Sequence, residues 1–189
     1  MIDYKKAGVN IDKANLFVKK IIPITASTRS KNVLADIGPF AAFYSIKCFK
    51  HFKHPVLVSS TDGVGTKIKI CIQTGRLEVA GYDLVAMNVN DIITTGARPL
   101  FFLDYFATSK LEIKQGEQII KGIAKGCRDS GMSLIGGETA ELPGFYQKSD
   151  FDLAGFALGI IDKSDIINGS SIKPKDLIIG LPSSGPHSN

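Results

Sequence analysis

The stretch LEVAGYDLVAMNVNDIITTGARPLFFLDYFAT, residues 77–108, decides the fold because it joins a helical pattern to an apolar strand. Apolar residues recur at helical spacing as far as Gly96, and glycine commonly closes a helix. Pro99 then prevents the helix from continuing. The aromatic run over 99–108 is typical of a strand. The stretch therefore predicts one helix followed directly by one strand.

Strand-like and helix-like segments alternate on both sides of this stretch. TKIKICIQT, for example, alternates apolar and polar side chains and is predicted as a strand. Five further strands, at residues 55–61, 66–74, 132–139, 151–162 and 176–182, and one further helix, at 114–131 and closed by Gly131, are predicted. This mixture indicates an α+β (mixed α/β) fold, with helices packed on one face of a mixed sheet.

Residues 1–54 are predicted to form an N-terminal arm. It contains a short helix that opens at Asp12 as the N-cap and stops before Pro23. Residues 55–176 form the main domain. The end of the chain, GLPSSGPHSN, carries turn residues with nothing after them, so we expect 177–189 to be the start of a second domain in a truncated chain.

Composition indicates a folded chain with a core, since 44% of its 189 residues are hydrophobic. The net charge of +5 is concentrated in residues 1–55, which carry ten Lys or Arg against three Asp. These cations are scattered and lack interleaved aromatics, so a solvated or phosphate-attracting surface is expected in preference to nucleic-acid binding. Three cysteines without a CxxC pair, and no apolar run of about 18 residues, predict a cytoplasmic protein without a membrane span.

The segment STDGVGTK places a carboxylate beside two flexible residues at the end of a strand. Asp62 with Gly63 and Gly65 would suit phosphate oxygens or a hydrated Mg²⁺ ion, although a plain Asp-Gly turn would explain the same letters. Lys67 and Lys69 share one face of the predicted strand, so at least one of them could reach a phosphate. We take Lys67 as a catalytic candidate.

Two more acidic sites follow. Asn88 and Asp91 lie three residues apart on one helical face, which is either the solvated side of the helix or a side that faces a metal. Glu138 and Glu141 follow two glycines in IGGETAELPG, where an exposed turn is the alternative. Together with Asp62, these groups are predicted to bind a triphosphate through Mg²⁺. Neither a Walker loop nor a dinucleotide fingerprint is present.

His187, in SSGPHSN, is the remaining candidate for chemistry. A lone histidine is more often structural or on the surface, but an imidazole that titrates near neutrality can move protons. The serines do not form GxSxG, so a hydrolase is not supported.

Six long motifs, in order from Tyr4 to Asn189, carry a resemblance to a known family: YKKAGVNID, STDGVGTK, DLVAMNVNDIITTGARPLFFLDYFAT, LIGGETAELPGFY, DLAGFALGIID and SSGPHSN. They resemble aminoimidazole ribonucleotide synthetase, or phosphoribosylformylglycinamidine cyclo-ligase. The resemblance implies ATP-dependent conversion of formylglycinamidine ribonucleotide to aminoimidazole ribonucleotide in purine synthesis, with Mg²⁺ and usually K⁺. It also implies a homodimer whose strands form a barrel across the interface.

Carried onto this chain, the resemblance assigns Asp62, Asp91, Glu138 and Glu141 to nucleotide and metal, with the first three as metal ligands. It places His187 beside the reacting substrate. The turn IGPFAAF departs from the family pattern, because Pro39 stands where a second glycine is usual.

Rival functions come from two classes. Thiamine-monophosphate kinase, selenophosphate synthetase and the hydrogenase maturation dehydratase share this architecture. A non-catalytic dimerisation and nucleotide-binding module is the alternative from outside the enzymes. We expect the chain of 189 residues alone to dimerise but scarcely to catalyse.

Overall fold

A computed structural model describes residues 10–147 and 149–185 of the chain. In chain order its elements are α1 (Ile11–Ala26), β1 (Pro55–Gly63), α2 (Lys67–Thr74), α3 (Leu77–Thr94), β2 (Arg98–Thr108), α4 (Ile113–Asp129), β3 (Ser133–Glu141) and β4 (Phe151–Asp162). Single 3₁₀ turns lie at Lys47–Phe49 and Lys163–Asp165. Within this described part, no helix is long and apolar enough to cross a membrane.

The four strands form one mixed sheet in the order β1-β4-β2-β3. β4 runs antiparallel to both of its neighbours, whereas β2 and β3 are parallel. Parallel neighbours need a crossover, and α4 supplies it. The predicted α+β class and mixed sheet are therefore confirmed.

The sheet has one helix-covered face and one open face. Alternation along β4 shows this directly: Leu153 and Ala157 are fully buried in the main core, whereas Phe156 between them is exposed. On β1, Val58 packs against the same core while Leu57 remains 60% exposed. The helices thus cover one face, as predicted. The barrel across a dimer interface remains a prediction.

The helical layer is held together by a close approach of α3 and α4. A Cβ on Gly122 would overlap the Glu78 carbonyl oxygen, and one on Gly126 would lie 2.8 Å from the Cβ of Val85. Side chains larger than hydrogen would force the two helices apart, so these glycines set their separation. Helix α3 ends at Thr94, before Gly96 with a φ of +82°, as the sequence predicts.

The segment predicted as a strand over 66–74 instead forms helix α2, Lys67–Thr74, with Thr66 as its N-cap. The alternation of Ile68, Ile70 and Ile72 fits a strand, but burial follows helical spacing instead. Ile68 and Cys71 are buried three residues apart, while Ile70 is 60% exposed. Gly75, with a φ of +68°, closes the helix.

Two other predicted elements also differ. Helix α1 has Asn10 as its N-cap, whose side chain accepts from the Lys13 N–H at 3.0 Å, and it continues through Pro23 to Ala26. Packing of Ile21 and its neighbours in the core offsets the hydrogen bond that proline cannot make. The predicted strand at 176–182 is absent: this segment has no regular secondary structure and is exposed, and no strand among the described residues pairs with it.

The N-terminal crossover, residues 27–54, carries the chain from the helical layer to the open face. Its start is fixed where the Leu134 N–H donates to Thr28 Oγ1 at 2.8 Å. Its end covers one corner of the open face, where Phe49 is buried against Leu100 and Ile160. The Asp162 carboxylate accepts from the backbone N–H groups of His54 at 3.2 Å and Lys53 at 2.6 Å, and these hydrogen bonds, that from His54 first, hold the pKa of Asp162 below its usual value.

Candidate functional site

Two of the predicted metal ligands lie at the β1 edge of the sheet. The Ser60 hydroxyl donates to Asp91 Oδ2 at 2.8 Å, so Ser60 faces α3 and draws Asp91 to the end of β1. Asp62 lies two residues further along the same regular strand and therefore faces the same side. Its Oδ1 accepts from the Gly63 N–H at 2.8 Å. The structure thus brings Asp62 and Asp91 to one corner.

The glycines after Asp62 make a tight turn from β1 into α2. Gly63 lies close to β4, since a Cβ there would be 3.1 Å from the Leu153 carbonyl oxygen. Gly65 adopts a φ of +69°, which favours glycine. The turn therefore favours glycine at both positions for local reasons: the backbone conformation requires it at Gly65, and close packing favours it at Gly63.

Lys67 lies at the start of α2 and forms an ion pair with Asp83 of α3. Lys69, which was expected on the same strand face, projects elsewhere from the helix and pairs with Asp150 at 2.5 Å. The Lys69 side chain is mostly exposed. The predicted catalytic role of Lys67 therefore applies to a side chain that already has an acidic partner.

Asn88 is buried in α3, one turn before Asp91. Its Nδ2 donates to the Leu84 carbonyl at 2.8 Å, and its Oδ1 has no hydrogen-bond partner among the described residues. A Cβ on Gly155 of β4 would come within 2.8 Å of Asn88 Nδ2. This burial places the amide beneath the sheet, and its nucleotide-binding role remains a prediction.

The other predicted acids lie at the opposite edge, on β3. Glu138 is exposed. Glu141 Oε1 accepts from the Leu111 N–H at 2.9 Å and so fixes the loop that leads into α4. Glu141 therefore has a structural task in addition to its predicted place in the site.

The two acidic sites are separated by the width of the sheet. In the register, Asp62 lies opposite Gly155, Gly155 opposite Asp104, and Asp104 opposite Gly137. Three strand spacings amount to about 14 Å, too far for one ion to bridge. Among the described residues of one chain, no group of three or more His, Cys, Asp or Glu is placed to hold a metal ion. The predicted metal set of Asp62, Asp91 and Glu138 is thus not assembled within one chain.

The β1 corner nevertheless has the chemistry that Mg²⁺ prefers. It presents carboxylates from Asp62 and Asp91, and Mg²⁺ is usually held by one or two carboxylates together with phosphate oxygens of the substrate. The predicted catalytic His187 lies outside the described residues.

A cavity of about 990 Å³ lies between α1, the N-terminal crossover and the sheet, and it extends from the open-face side chains Leu57 of β1 and Phe156 of β4 to the β3 edge. Its walls are mostly apolar, with Phe17 from α1 and Leu103 from β2 among them. Its acidic lining residues are Asp36, Asp104, Glu138 and Glu141, and no Lys, Arg or His is among the described residues that line it. The cavity therefore favours an apolar body with hydrogen-bond donors and disfavours a bare anion.

Asp104 is a candidate that sequence reasoning missed. It lies partly buried in the central strand β2, and burial raises its pKa to about 7. A Cβ on Gly137 would lie 2.5 Å from Asp104 Oδ1, so the glycine of β3 makes room for this carboxyl. The signal in the sequence is a single acid inside the apolar run FFLDYF, since charged residues are seldom buried without a reason.

Comparison with known proteins finds relatives that match the whole chain. A cyclo-ligase of Thermodesulfovibrio yellowstonii, named phosphoribosylformylglycinamidine cyclo-ligase, is 57% identical over 188 residues, which is 100% of this chain and 54% of that protein. The enzyme of the same name from Caldanaerobacter subterraneus is 59% identical over 186 residues, 98% of this chain and 54% of that protein. The chain thus spans about half the length of these curated relatives.

Solved structures show the same fold. Thiamine-monophosphate kinase from Stenotrophomonas maltophilia superposes with a TM-score of 0.63 at 22% identity, over 78% of this chain and 43% of the kinase. Hydrogenase maturation protein HypE in complex with ATP superposes with a TM-score of 0.57 at 17% identity, over 82% of this chain and 43% of HypE.

A family model matches more than half of the chain. The model described as AIR synthase related protein, N-terminal domain, matches residues 45–161, from the N-terminal crossover to the end of β4. The chain therefore belongs to the AIR synthase related family, and its sheet and covering helices are that family's N-terminal domain.

Proposed function

We propose that this chain is the nucleotide-binding part of a cytoplasmic, ATP-dependent phosphoribosylformylglycinamidine cyclo-ligase. The observation that carries the proposal is the corner where Asp91 and Asp62 lie beside a glycine turn, in a chain of this family. Relatives that match essentially the whole chain carry the cyclo-ligase name. A cytoplasmic location agrees with Cys48, Cys71 and Cys127, which are all free thiols.

The complete metal and nucleotide site requires a second copy of the chain. Asp62 and Asp91 lie at one edge of the sheet and Glu138 at the other, so a homodimer in which β1 of one copy meets β3 of its partner would unite them. The open face supports such pairing, because Leu57 and Phe156 are exposed there and would be buried on association. Closed two-fold pairing would make two equivalent sites.

The reaction begins at the amide oxygen of formylglycinamidine ribonucleotide, which is a poor leaving group. That oxygen attacks the terminal phosphorus of ATP, and ADP departs to leave an imidophosphate. The neighbouring nitrogen then attacks the activated carbon, the ring closes, and phosphate leaves with the former amide oxygen. The ring nitrogen loses a proton, and His187 is the residue proposed to accept it.

Asp62 and Asp91 would hold the nucleotide's phosphates through Mg²⁺, and K⁺ is a second proposed cofactor. When bound, Mg²⁺ neutralises charge on the transferred phosphoryl group. The chain's own contribution is positional: the Ser60 hydroxyl fixes the Asp91 carboxylate, and the turn at Gly65 fixes the backbone after Asp62. Such positioning supplies much of the acceleration in phosphoryl transfer.

Calorimetric titration of the chain with ATP and Mg²⁺ tests the proposal. We expect Asp62→Asn and Asp91→Asn each to weaken binding by at least about tenfold, because each removes a charge from the metal site. Asp165→Asn, at an exposed acid in a 3₁₀ turn, is the matched control and should bind as the parent chain does. Wild-type affinity in both site variants would refute the assignment of these acids.

Turnover is a separate question, because the chain spans about half the length of its relatives. We expect the chain alone to bind ATP but to form little aminoimidazole ribonucleotide. Product from the purified chain at a rate typical of enzymes would contradict this expectation.

A further inference from the structure

The loop of residues 34–43 stands over the cavity on a fixed base. At its ends the Leu34 N–H donates to the Phe43 carbonyl at 3.0 Å, and the Ser45 N–H donates to the Asn32 carbonyl at 2.7 Å. Tyr44, which follows the loop, packs against Phe101 of the sheet with the rings tilted by 46° and their centroids 5.3 Å apart. The base of the loop is therefore held in register beside the sheet.

The tip of this loop carries an aromatic side chain in an unfavourable place. Phe40 is fully exposed, yet it belongs to the lining of the cavity together with Gly38 and Pro39. Gly38 adopts a φ of +127°, a conformation that other residues rarely adopt. Covering an exposed phenyl ring at the mouth of an apolar cavity with a ligand or a partner is favourable, because apolar surface is removed from water.

The cavity lining indicates which part of a nucleotide would fit. It offers apolar walls and carboxylates, without a cationic side chain among its described residues. Phosphates would therefore stay outside, near the metal-binding corner of a partner copy. A planar base fits the apolar walls, and its exocyclic amino group can donate to Asp104 or Glu138. The other two acids already have partners: Glu141 accepts from the Leu111 N–H, and Asp36 pairs with Arg29 near the base of the loop.

We propose that Phe40 is a ring-stacking residue that closes over the planar base of a nucleotide held in this cavity. The inference rests on the proposed function, since it places the base of the same nucleotide. Stacking against an aromatic ring does not need a particular base, so the carboxylates would provide the preference for an amino-bearing one.

Fluorescence offers a direct test, because the chain contains no tryptophan. Phe40→Trp places a single indole at the tip of the loop. Phe43→Trp is the matched control, since Phe43 lies at the base of the same loop, is 58% exposed and does not line the cavity. We expect ATP and adenosine to change the emission of the first variant saturably, whereas inorganic tripolyphosphate should not. The control variant should respond to none of the three.

A binding measurement completes the test. Phe40→Ala should raise the dissociation constant for ATP roughly tenfold, since a lost stack on a base typically has an effect of this size. Phe40→Tyr keeps the ring and should bind ATP as the parent chain does. Calorimetric titration of the parent chain with ATP separates the two claims, that the chain binds ATP and that Phe40 stacks on the base.

If the parent chain binds ATP while Phe40→Trp is silent and Phe40→Ala binds normally, the stacking role is wrong and the proposed function stands. If the parent chain does not bind ATP, the proposed function fails and this inference fails with it. Emission from Phe40→Trp that follows protein concentration rather than nucleotide would show that a second copy covers the ring, and would overturn the proposal.

Discussion

On the helix-covered face of the sheet, Leu153 and Ala157 are completely buried, whereas Leu57 and Phe156 on the open face remain exposed. The covered face leaves no room even for a methyl group where α3 meets α4. The open face presents exposed apolar side chains and the cavity, and the two separated acidic sites lie at the outer edges of the sheet. This difference separates stability from binding. Packing on the covered face stabilises the chain, whereas the open face and the edges of the sheet are available to bind ligands and partners.

The largest effect on stability should come from the contact between α3 and α4. Gly122→Ala would place a methyl group on the Glu78 carbonyl oxygen, so the helices must separate. We expect a loss of about 3 to 5 kcal/mol of unfolding free energy, at the upper end for overpacking. Chemical denaturation measures it. Gly180→Ala, where nothing lies within 4 Å of the added Cβ, is the control and should be close to neutral.

The next effect depends on pH and concerns Asp104. Its pKa is raised to about 7 in the folded chain, so the folded state holds its proton more tightly than the unfolded state does. The resulting stability is complete below about pH 4 and is lost as the pH rises through about 7. Between pH 5 and pH 8 the unfolding free energy of the parent chain should therefore fall by about 2 kcal/mol relative to that of Asp104→Asn, a figure reduced for residual solvent contact.

Asp129→Asn is the control for that comparison. The hydrogen bond from Lys125 lowers the pKa of Asp129, so this carboxylate contributes stability that is lost as the pH falls through its lowered pKa. Between pH 5 and pH 8 the unfolding free energy of Asp129→Asn should change as that of the parent chain does. An equal pH dependence of unfolding in the parent chain and in Asp104→Asn would contradict the burial assigned to Asp104.

A smaller effect on stability, but a large one on assembly, is expected on the open face. Leu57→Asp changes a side chain that is 60% exposed in one chain, so the unfolding free energy should change by less than about 1 kcal/mol. Self-association should be lost, because a charge would be buried at the proposed dimer interface. Light scattering with size-exclusion chromatography shows whether each variant is a monomer or a dimer. A monomeric parent chain at high concentration would remove the homodimer from the account.

The smallest effect belongs to the outer surface of α4. Lys125 pairs with Asp129 at 2.6 Å and lies over the Tyr82 ring, but it is exposed. Lys125→Ala should leave the unfolding midpoint within experimental error, because exposed ion pairs contribute little. A marked shift would mean that the helical layer depends on its surface as well as on its packed glycines.

Sequence reasoning predicted the elements whose periodicity belongs to one structure. The helix over 77–94 and the alternating strand β4 were of this kind. The segment at 66–74 was not, because its alternating isoleucines fit a strand, and the helical spacing of Ile68 and Cys71 shows only once both are seen to be buried. The segment at 176–182 shows a different limit, since apolar alternation requires a neighbour and does not say where that neighbour lies.

The candidate site was predictable only in part, for reasons of geometry. Glycine-linked acids such as Asp62 stand out because their neighbours are unusual in a strand. That Asp62 and Glu138 lie on opposite edges depends on strand order, which no local pattern contains. Phe40 and Asp104 were missed as members of a cavity, because each looks ordinary until the crossover is folded over the sheet.

Complementation between two defective variants tests the shared site most directly. Asp91→Asn and Glu138→Gln chains are each expected to lose Mg²⁺-dependent ATP binding when titrated alone. Once the two are unfolded, mixed in equal amounts and refolded, half of the dimers should be hybrids with one intact site, which restores about a quarter of the parent chain's binding sites. Recovery of that fraction is the predicted result. A mixture that binds no more ATP than either variant alone would contradict a site built from two copies.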